Sequence, residues 1–332
     1  MEYHDRIYGT EQIDEPVLLA LMDAPTVRRL AGVLQHGISG LIGITRSTSR
    51  LEHSLGVMIL VRRLAGSLEE QIAALLHDVS HTAFSHVMDY VFGGYESQSY
   101  HEDVKEQFIE QSELPAILTR YGYDWRIFLD EARYPLLEQP APALCADRLD
   151  YFLRDVYDLG LGSMQDIQAA LTHLVVHNGR IAVNDQQAAR WMGYTFIEAD
   201  QASWANFREV GIYELTARAI RTALRLGVLE DSDIWTDDAR VWQKMKAAGH
   251  PLLQKEMALI STETGFVWDE RAPTFRIRTK LRTIDPEIVL PGGLQPLSGV
   301  DAAFAQYRSQ YLSRNSGSWP MRVVPADGRS QA

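Results

Sequence analysis

The sequence predicts a mainly α protein with a small β-hairpin and a minor C-terminal α+β element. Apolar residues recur at helical spacing through most of the chain, for example at Leu51, Leu55, Met58 and Ile59. β-Branched runs flank Asn178-Gly179, the strongest short hairpin signal. Alternation with β-branched residues marks FRIRTKLRTIDPEIV (275–289) as one or two late strands.

Taken in order, PVLLALMD and APTVRRLAGVLQ within 15–35 are two short helices broken at Pro25. The stretch 38–50, ISGLIGITRSTSR, is rich in Gly, Ser and Thr and reads as a loop, with Ser47 to Ser49 placed to cap the next helix. Helices are expected from Leu51 to Leu64, Leu68 to Val79 and Ser85 to Phe92, the last closed by Gly93-Gly94. After the polar connection YESQSYH, a helix covers His101 to Ile109, and shorter helical pieces fill 114–139 up to Pro140 and Pro142. The segment from Leu144 to Leu159 stops at Gly160, as helix C-termini often do. Beyond the hairpin in 173–185, a long helical tract reaches about Leu226, with more helices near 236–261 and a last one from Asp301 to Tyr311. PADGRSQA reads as a loose tail. The expected division is a main domain over 1–230 and a region of helices and short strands over 231–332 packed on it.

Composition narrows the function. With 46% hydrophobic and 23% charged residues, the chain has the make-up of a folded soluble protein. A net charge of −12 argues against a non-specific grip on nucleic acid or on an anionic membrane. The basic run RIRTKLR (276–282) reads as a solvated strand or a subunit contact. The single Cys145 excludes an internal disulfide, fits a reducing cytoplasm, and sits among apolar residues as a buried structural thiol. The polar, acidic N-terminus is no signal peptide, and no apolar run is long enough to span a bilayer, so a cytoplasmic protein is expected.

Polar residues interrupt apolar, helix-favouring runs in RLEHSLGV (50–57), AALLHDVSHTAFSHVMD (73–89) and LCADRLDYFLRD (144–155). Burying His, Asp and Arg costs several kcal/mol unless they are paired or ligated. His53, the adjacent His77-Asp78 and the distant Asp147 could surround one divalent cation. Neighbouring side chains on a helix diverge by about 100°, so both members of the pair reach one ion most easily at a helix end. Imidazole and carboxylate suit Mn, Fe, Zn, Co or Ni, and Mg less well. Two His and two Asp leave coordination positions open for water and a substrate oxygen.

RLEHSLGV, then LLHDVSHTAFSH, then ADRLDYFLRD resembles the HD-domain phosphohydrolase superfamily. The likeness is to the branch of deoxynucleoside triphosphate triphosphohydrolases that includes the SAM-and-HD-domain protein, and it spans about residues 5 to 230. It implies an HD-domain helical core, with His53, His77, Asp78 and Asp147 as ligands of one divalent metal ion. It implies hydrolysis of a phosphoester or phosphoanhydride bond in a small phosphorylated, nucleotide-like substrate, and assembly into a homo-oligomer. His81, His86 and His101 match histidines on the phosphate side of the site, and Asp89 can orient His86 from one turn away. Arg50 and Arg148 match basic positions near the substrate, Tyr151 and Asp155 positions contacting its sugar, and Gln35-His36 the pair that reads the base. His86 held by Asp89 is then the expected general acid, while Asp147 or Asp78 takes the proton of the attacking water. Arg50, Arg148 and His81 would offset charge on the equatorial oxygens.

Two departures bear on the substrate. Where an Arg of the branch approaches phosphate, this chain carries Glu198 with Asp200 close by, and Ala202, Ser203 and Asn206 stand at positions expected to be basic or aromatic. Carboxylates facing a triphosphate would weaken binding, with Arg190 and Arg208 as the nearby compensating charges. A nucleotide phosphomonoesterase and a non-catalytic nucleotide sensor are the alternatives to a triphosphohydrolase.

Overall fold

Helices form where the apolar spacing asks for them in the computed structural model, which describes residues 1–94 and 98–325. Tyr95–Ser97 of the polar connection and the tail beyond residue 325 lie outside the described residues. The architecture is mainly α, with a helical core and, among the described residues, three small sheets.

The central helix, Arg50–Arg63, starts on a reciprocal cap: Ser49 Oγ accepts the Glu52 N–H and Glu52 Oε2 accepts the Ser49 N–H. His53 and every residue from Ser54 to Val61 are buried on it. It packs against Leu68–Leu76 on one side and Ala146–Asp158 on the other. Gly56 permits the second contact. A Cβ there would lie 2.0 Å from Arg154 Nη2 and 2.1 Å from Asp150 Oδ1. Close helix approach at Gly56 is what brings His53, one turn earlier, against the Asp147–Asp150 face of the partner helix.

The helix expected to reach Val79 ends at Leu76. His77 is its C-cap, still helical at φ −57 and ψ −40, and the chain turns away at Asp78. Phe84 and Ser85 follow with φ of 63 and 49, left-handed values that cost on the order of 1–3 kcal/mol each in non-glycine residues. Packing holds them there. Phe84 is fully buried, its N–H donates to Asp238 Oδ1 at 2.7 Å, and a Cβ on Gly37 would come 2.4 Å from its carbonyl oxygen.

Asn178 and Gly179 both take positive φ, the primed two-residue turn the sequence indicates, between Leu174–His177 and Arg180–Val183. The hairpin is extended through a parallel pairing, Val183 opposite Ile288, to Glu287–Leu290 and then Gly293–Pro296. A second sheet places Trp319–Val324 between Gly265–Trp268 and Phe275–Ile277. Segment 275–289 thus supplies two strands in different sheets, joined by an irregular crossing. Residues 38–50 differ from the expected loop by a short helix at Gly37–Leu41. The tract before Leu226 is not one helix: Gln186–Ala199 passes through a π turn, Asp200–Trp204, before Phe207–Arg225.

Two apolar cores result. One gathers Val57, Leu75, Phe152 and Phe196 with the late residues Ile284, Ile288 and Phe304; the other joins Phe84 and Val87 to Ile220, Met245, Phe275 and Met321. Among the described residues no helix is long and apolar enough to cross a membrane.

Candidate active site

Three helices aim donors at one point. His53 Nε2 lies 2.9 Å from Asp147 Oδ1 and 3.2 Å from His77 Nε2, and His77 Nε2 lies 3.5 Å from Asp147 Oδ1. Asp78 reaches the same corner, with Oδ1 3.5 Å from His77 Nε2 and Oδ2 3.7 Å from His53 Nε2. His53 and Asp147 are separated by 94 positions in sequence, yet the structure brings them together.

The donor chemistry fits a divalent cation. His53 Nδ1 sits 2.7 Å from Asp150 Oδ2, and His77 Nδ1 sits 2.7 Å from the Ala74 carbonyl oxygen. Both partners only accept, so both Nδ1 atoms carry hydrogen and a neutral ring leaves its Nε2 as a bare lone pair. Two lone pairs and a carboxylate then face one another, an arrangement that a cation relieves. The same field acts on protons: burial pushes His53 down, but Asp147 and Asp150 outweigh it and raise its pKa to about 9. Burial pushes the Asp147 carboxyl up, and His53 and His77 hold it well below the usual range.

Asp150 is the residue that sequence reasoning missed here. Its carboxylate also takes Arg154 Nε at 2.8 Å, and Arg154 Nη2 bridges on to Asp5 Oδ2 at 2.8 Å. The available signal was the spacing of Asp147, Asp150 and Arg154 along one helical face.

Beside the corner stand the other histidines. Arg50 Nη1 donates to Asp78 Oδ2 at 2.6 Å and its Nε to Ser85 Oγ at 3.0 Å, so the strained Ser85 helps fix this guanidinium. His81 Nε2 comes within 3.3 Å of Asp78 Oδ1 without the alignment of a hydrogen bond. Its ring stacks on His101 with centroids 3.9 Å apart, and His86 meets it edge-on at 5.2 Å. Burial, helped by Arg50, pushes His81 down to about 3. Burial likewise lowers His86, against the pull of Asp89 Oδ2, which accepts from His86 Nδ1 at 3.0 Å.

These groups open onto a cavity of about 570 Å³, large enough for a nucleotide-sized ligand. Gln35, His36, Arg148, Tyr151 and Asp155 all line it. Three are already engaged, Arg148, Asp155 and His36. Arg148 donates to Glu138, to the Gln139 and Ala143 carbonyls and to Cys145 Sγ. Asp155 accepts from His36 Nε2 at 2.9 Å and from Trp204 Nε1 at 2.6 Å.

Several lining residues had no clear sequence signal, among them Trp204 from the π turn, Glu209 and Tyr213, while Ser203, singled out in the sequence, lines the cavity beside Trp204. The run RIRTKLR corrects the sequence reading: Lys280 and Arg282 face this cavity. Glu198 is exposed and outside the lining, so it does not oppose phosphate, and Asp200 is buried behind the wall. Arg190 pairs with Asp301, and Arg208 donates to the Thr262 carbonyl; neither compensates inside the cavity.

A family model described as HD domain matches residues 50–155, the stretch that carries all four converging residues. The chain is 37% identical over 317 residues to a metal-dependent phosphohydrolase, cns2, of Cordyceps militaris, covering 93% of this chain and 91% of that one. Over 220 residues it is 26% identical to the deoxynucleoside triphosphate triphosphohydrolase SAMHD1 of Danio rerio, covering 51% of this chain but 35% of that one. Among solved structures, a hypothetical protein of Aquifex aeolicus superposes with a TM-score of 0.67 at 21% identity over 92% of this chain and 93% of that chain.

Proposed function

This chain belongs to the HD-domain superfamily of metal-dependent phosphohydrolases, and from that premise we propose that it hydrolyses a phosphate bond of a small, nucleotide-like substrate. One observation carries the reading: the His53, His77, Asp78 and Asp147 donors converge, and two of them, Asp78 and Asp147, line a cavity that also presents imidazoles and aromatic rings. In this proposal those four residues hold the divalent ion. When bound, the ion supplies Lewis acidity, drawing electron density from a phosphoryl oxygen and making water more acidic.

The remaining steps belong to the chain. Asp147 or Asp78 takes the proton of the attacking water. His86, with Asp89 fixing its tautomer through Nδ1, presents Nε2 as the acid for the leaving oxygen. Arg50 offsets charge on the equatorial oxygens, and His81 and His101, kept neutral by burial, can donate hydrogen bonds to them. Gln35, His36 and Tyr151 form the slot for the base and sugar end. Homo-oligomerisation and a cytoplasmic setting belong to the same reading.

With its carboxylates ionised, the lining favours release of a single phosphate. The lining holds five cations (Arg50, Arg148, Lys280, Arg282, Arg308) against six carboxylates (Asp78, Glu102, Glu138, Asp147, Asp155, Glu209). With every carboxylate ionised, a divalent ion brings that sum to about +1, which suits a phosphate dianion. Burial raises Glu102 and Glu209 and pushes Glu138 up to about 7, and each proton they keep adds one positive charge, toward what a triphosphate needs. The likeness to SAMHD1 supports triphosphate release as the second reading. Metal-replete protein assayed on nucleoside mono- and triphosphates, with phosphate, pyrophosphate and triphosphate quantified, separates the two. Inertness on every substrate would sink both.

A further inference from the structure

The late segment between Ile277 and Glu287 lies outside the matched HD stretch, yet it walls the cavity with Lys280, Leu281, Arg282 and Thr283. Its course is fixed from behind. Asp200, fully buried at the start of the π turn, accepts the Arg282 backbone N–H at 2.7 Å and the Tyr311 hydroxyl at 2.6 Å through the same Oδ2. That π turn also puts Ser203 and Trp204 on the cavity, so one irregular turn both shapes the wall and anchors the segment. In front, the Arg282 guanidinium donates to the Gln98 side-chain oxygen. It is near enough to His86 for its charge to help depress that imidazole.

The cations that the sequence assigns to phosphate are heavily engaged. Arg50 is fixed by Asp78 and Ser85, and Arg148 by Glu138 and the carbonyls of its loop. Arg308 is tied to Thr283 Oγ1 at 3.0 Å. We infer that Arg282, with Lys280 beside it, is a substrate-binding residue that takes the phosphate of an anionic substrate from the C-terminal wall of the cavity. The inference deepens the phosphohydrolase reading and rests on it. A planar guanidinium delivers paired N–H donors to phosphate oxygens, and the Lys280 ammonium in the same wall adds positive charge.

The run contains its own control. Arg276 belongs to the same basic string but is exposed and pairs with Glu270, away from the cavity. The test is calorimetric titration of metal-replete protein with inorganic phosphate, in wild type, R282A, K280A and R276A, with metal content and Tm measured alongside. Expected are a loss of affinity of about tenfold or more in R282A, a several-fold loss in K280A, and R276A within about twofold of wild type. Metal content should not change. Equal affinities in wild type, R282A and K280A would overturn the inference alone. So would a loss in R282A accompanied by lost metal, with K280A unaffected, because Arg282 would then only support the fold. Absence of phosphate binding by the wild type would overturn the inference together with the reading beneath it.

Discussion

His53 Nε2 and His77 Nε2 face each other across 3.2 Å while the opposite nitrogen of each ring is committed to an acceptor. Asp147 and Asp150 raise His53 to about 9, so without a cation its Nε2 keeps a proton for Asp147; a cation that displaces this proton would meet both Nε2 lone pairs and the Asp147 carboxylate. The helix C-terminus at His77 and the glycine contact beneath His53 impose this, so the convergence is part of the fold rather than a local accident.

A cation at this corner should therefore contribute to stability as well as chemistry. Stripping it with a chelator is expected to lower Tm by several degrees, since binding at about 100 times Kd adds about 2.7 kcal/mol. Readdition of a divalent metal should restore it. H77A should lose both the bound metal, read by elemental analysis, and the chelator sensitivity of Tm. Stoichiometric metal in folded H77A protein would refute the ligand set.

Gly56 is where the two ligand-bearing helices touch. A methyl group there meets Arg154 Nη2 and Asp150 Oδ1 at about 2 Å, so G56A must push the helices apart. Overpacking of this kind costs about 1–3 kcal/mol. The displacement also pulls His53 from Asp147, and metal affinity should fall with stability. Gly292 offers the contrast, with nothing within 4 Å of its would-be Cβ, and G292A should stay within about 0.5 kcal/mol of wild type. Equal Tm values for G56A and wild type would remove this account of the helix contact.

Much of this was legible from the chain. The cap at Ser49, the hairpin at Asn178-Gly179 and the helical runs obey local rules that tertiary packing did not override. So did the His-Asp pair at a helix end. The features that the sequence hid were non-local. The π turn at Asp200–Trp204 has no compositional mark, because it is a register slip inside an otherwise helical stretch. Arg282 looked like surface charge because its role depends on Asp200 and Tyr311, brought beside it by the fold. Glu198 looked like a phosphate-facing carboxylate because position along the chain does not say which face of the Gln186–Ala199 helix meets the cavity, and the fold turns this residue to solvent.

His86 and Asp89 make a separable prediction about chemistry. With Nδ1 tied to Asp89, His86 should transfer its proton through Nε2, and H86A should lower kcat by about 10²–10⁴-fold without loss of metal. Burial sets the imidazole below its ordinary value, and Asp89 opposes that shift. The basic limb of kcat/KM should then fall below pH about 6.5, and D89N should move it lower still. A limb that stays in place in D89N would take His86 out of the acid role.

Asp238 ties the wall together and leads to a pH effect on folding. Its Oδ1 accepts the Phe84 N–H at 2.7 Å and its Oδ2 the Leu34 N–H at 3.0 Å, beneath the strained turn that fixes Arg50. Burial outweighs those hydrogen bonds and raises the carboxyl from 3.8 to about 7. Because the folded pKa is the higher one, the native state holds this proton over a range where the unfolded chain has released it. The contribution is therefore full below pH about 4, shrinks as pH rises toward 7, and is gone above it, a few kcal/mol in all. D238N cannot titrate, so the difference in urea midpoint between wild type and D238N should change steadily between pH about 4 and 7 and level off above that, with wild type losing ground as pH rises. A constant difference across that window would mean that Asp238 is ionised throughout, and that its two backbone donors hold a carboxylate in the core unaided.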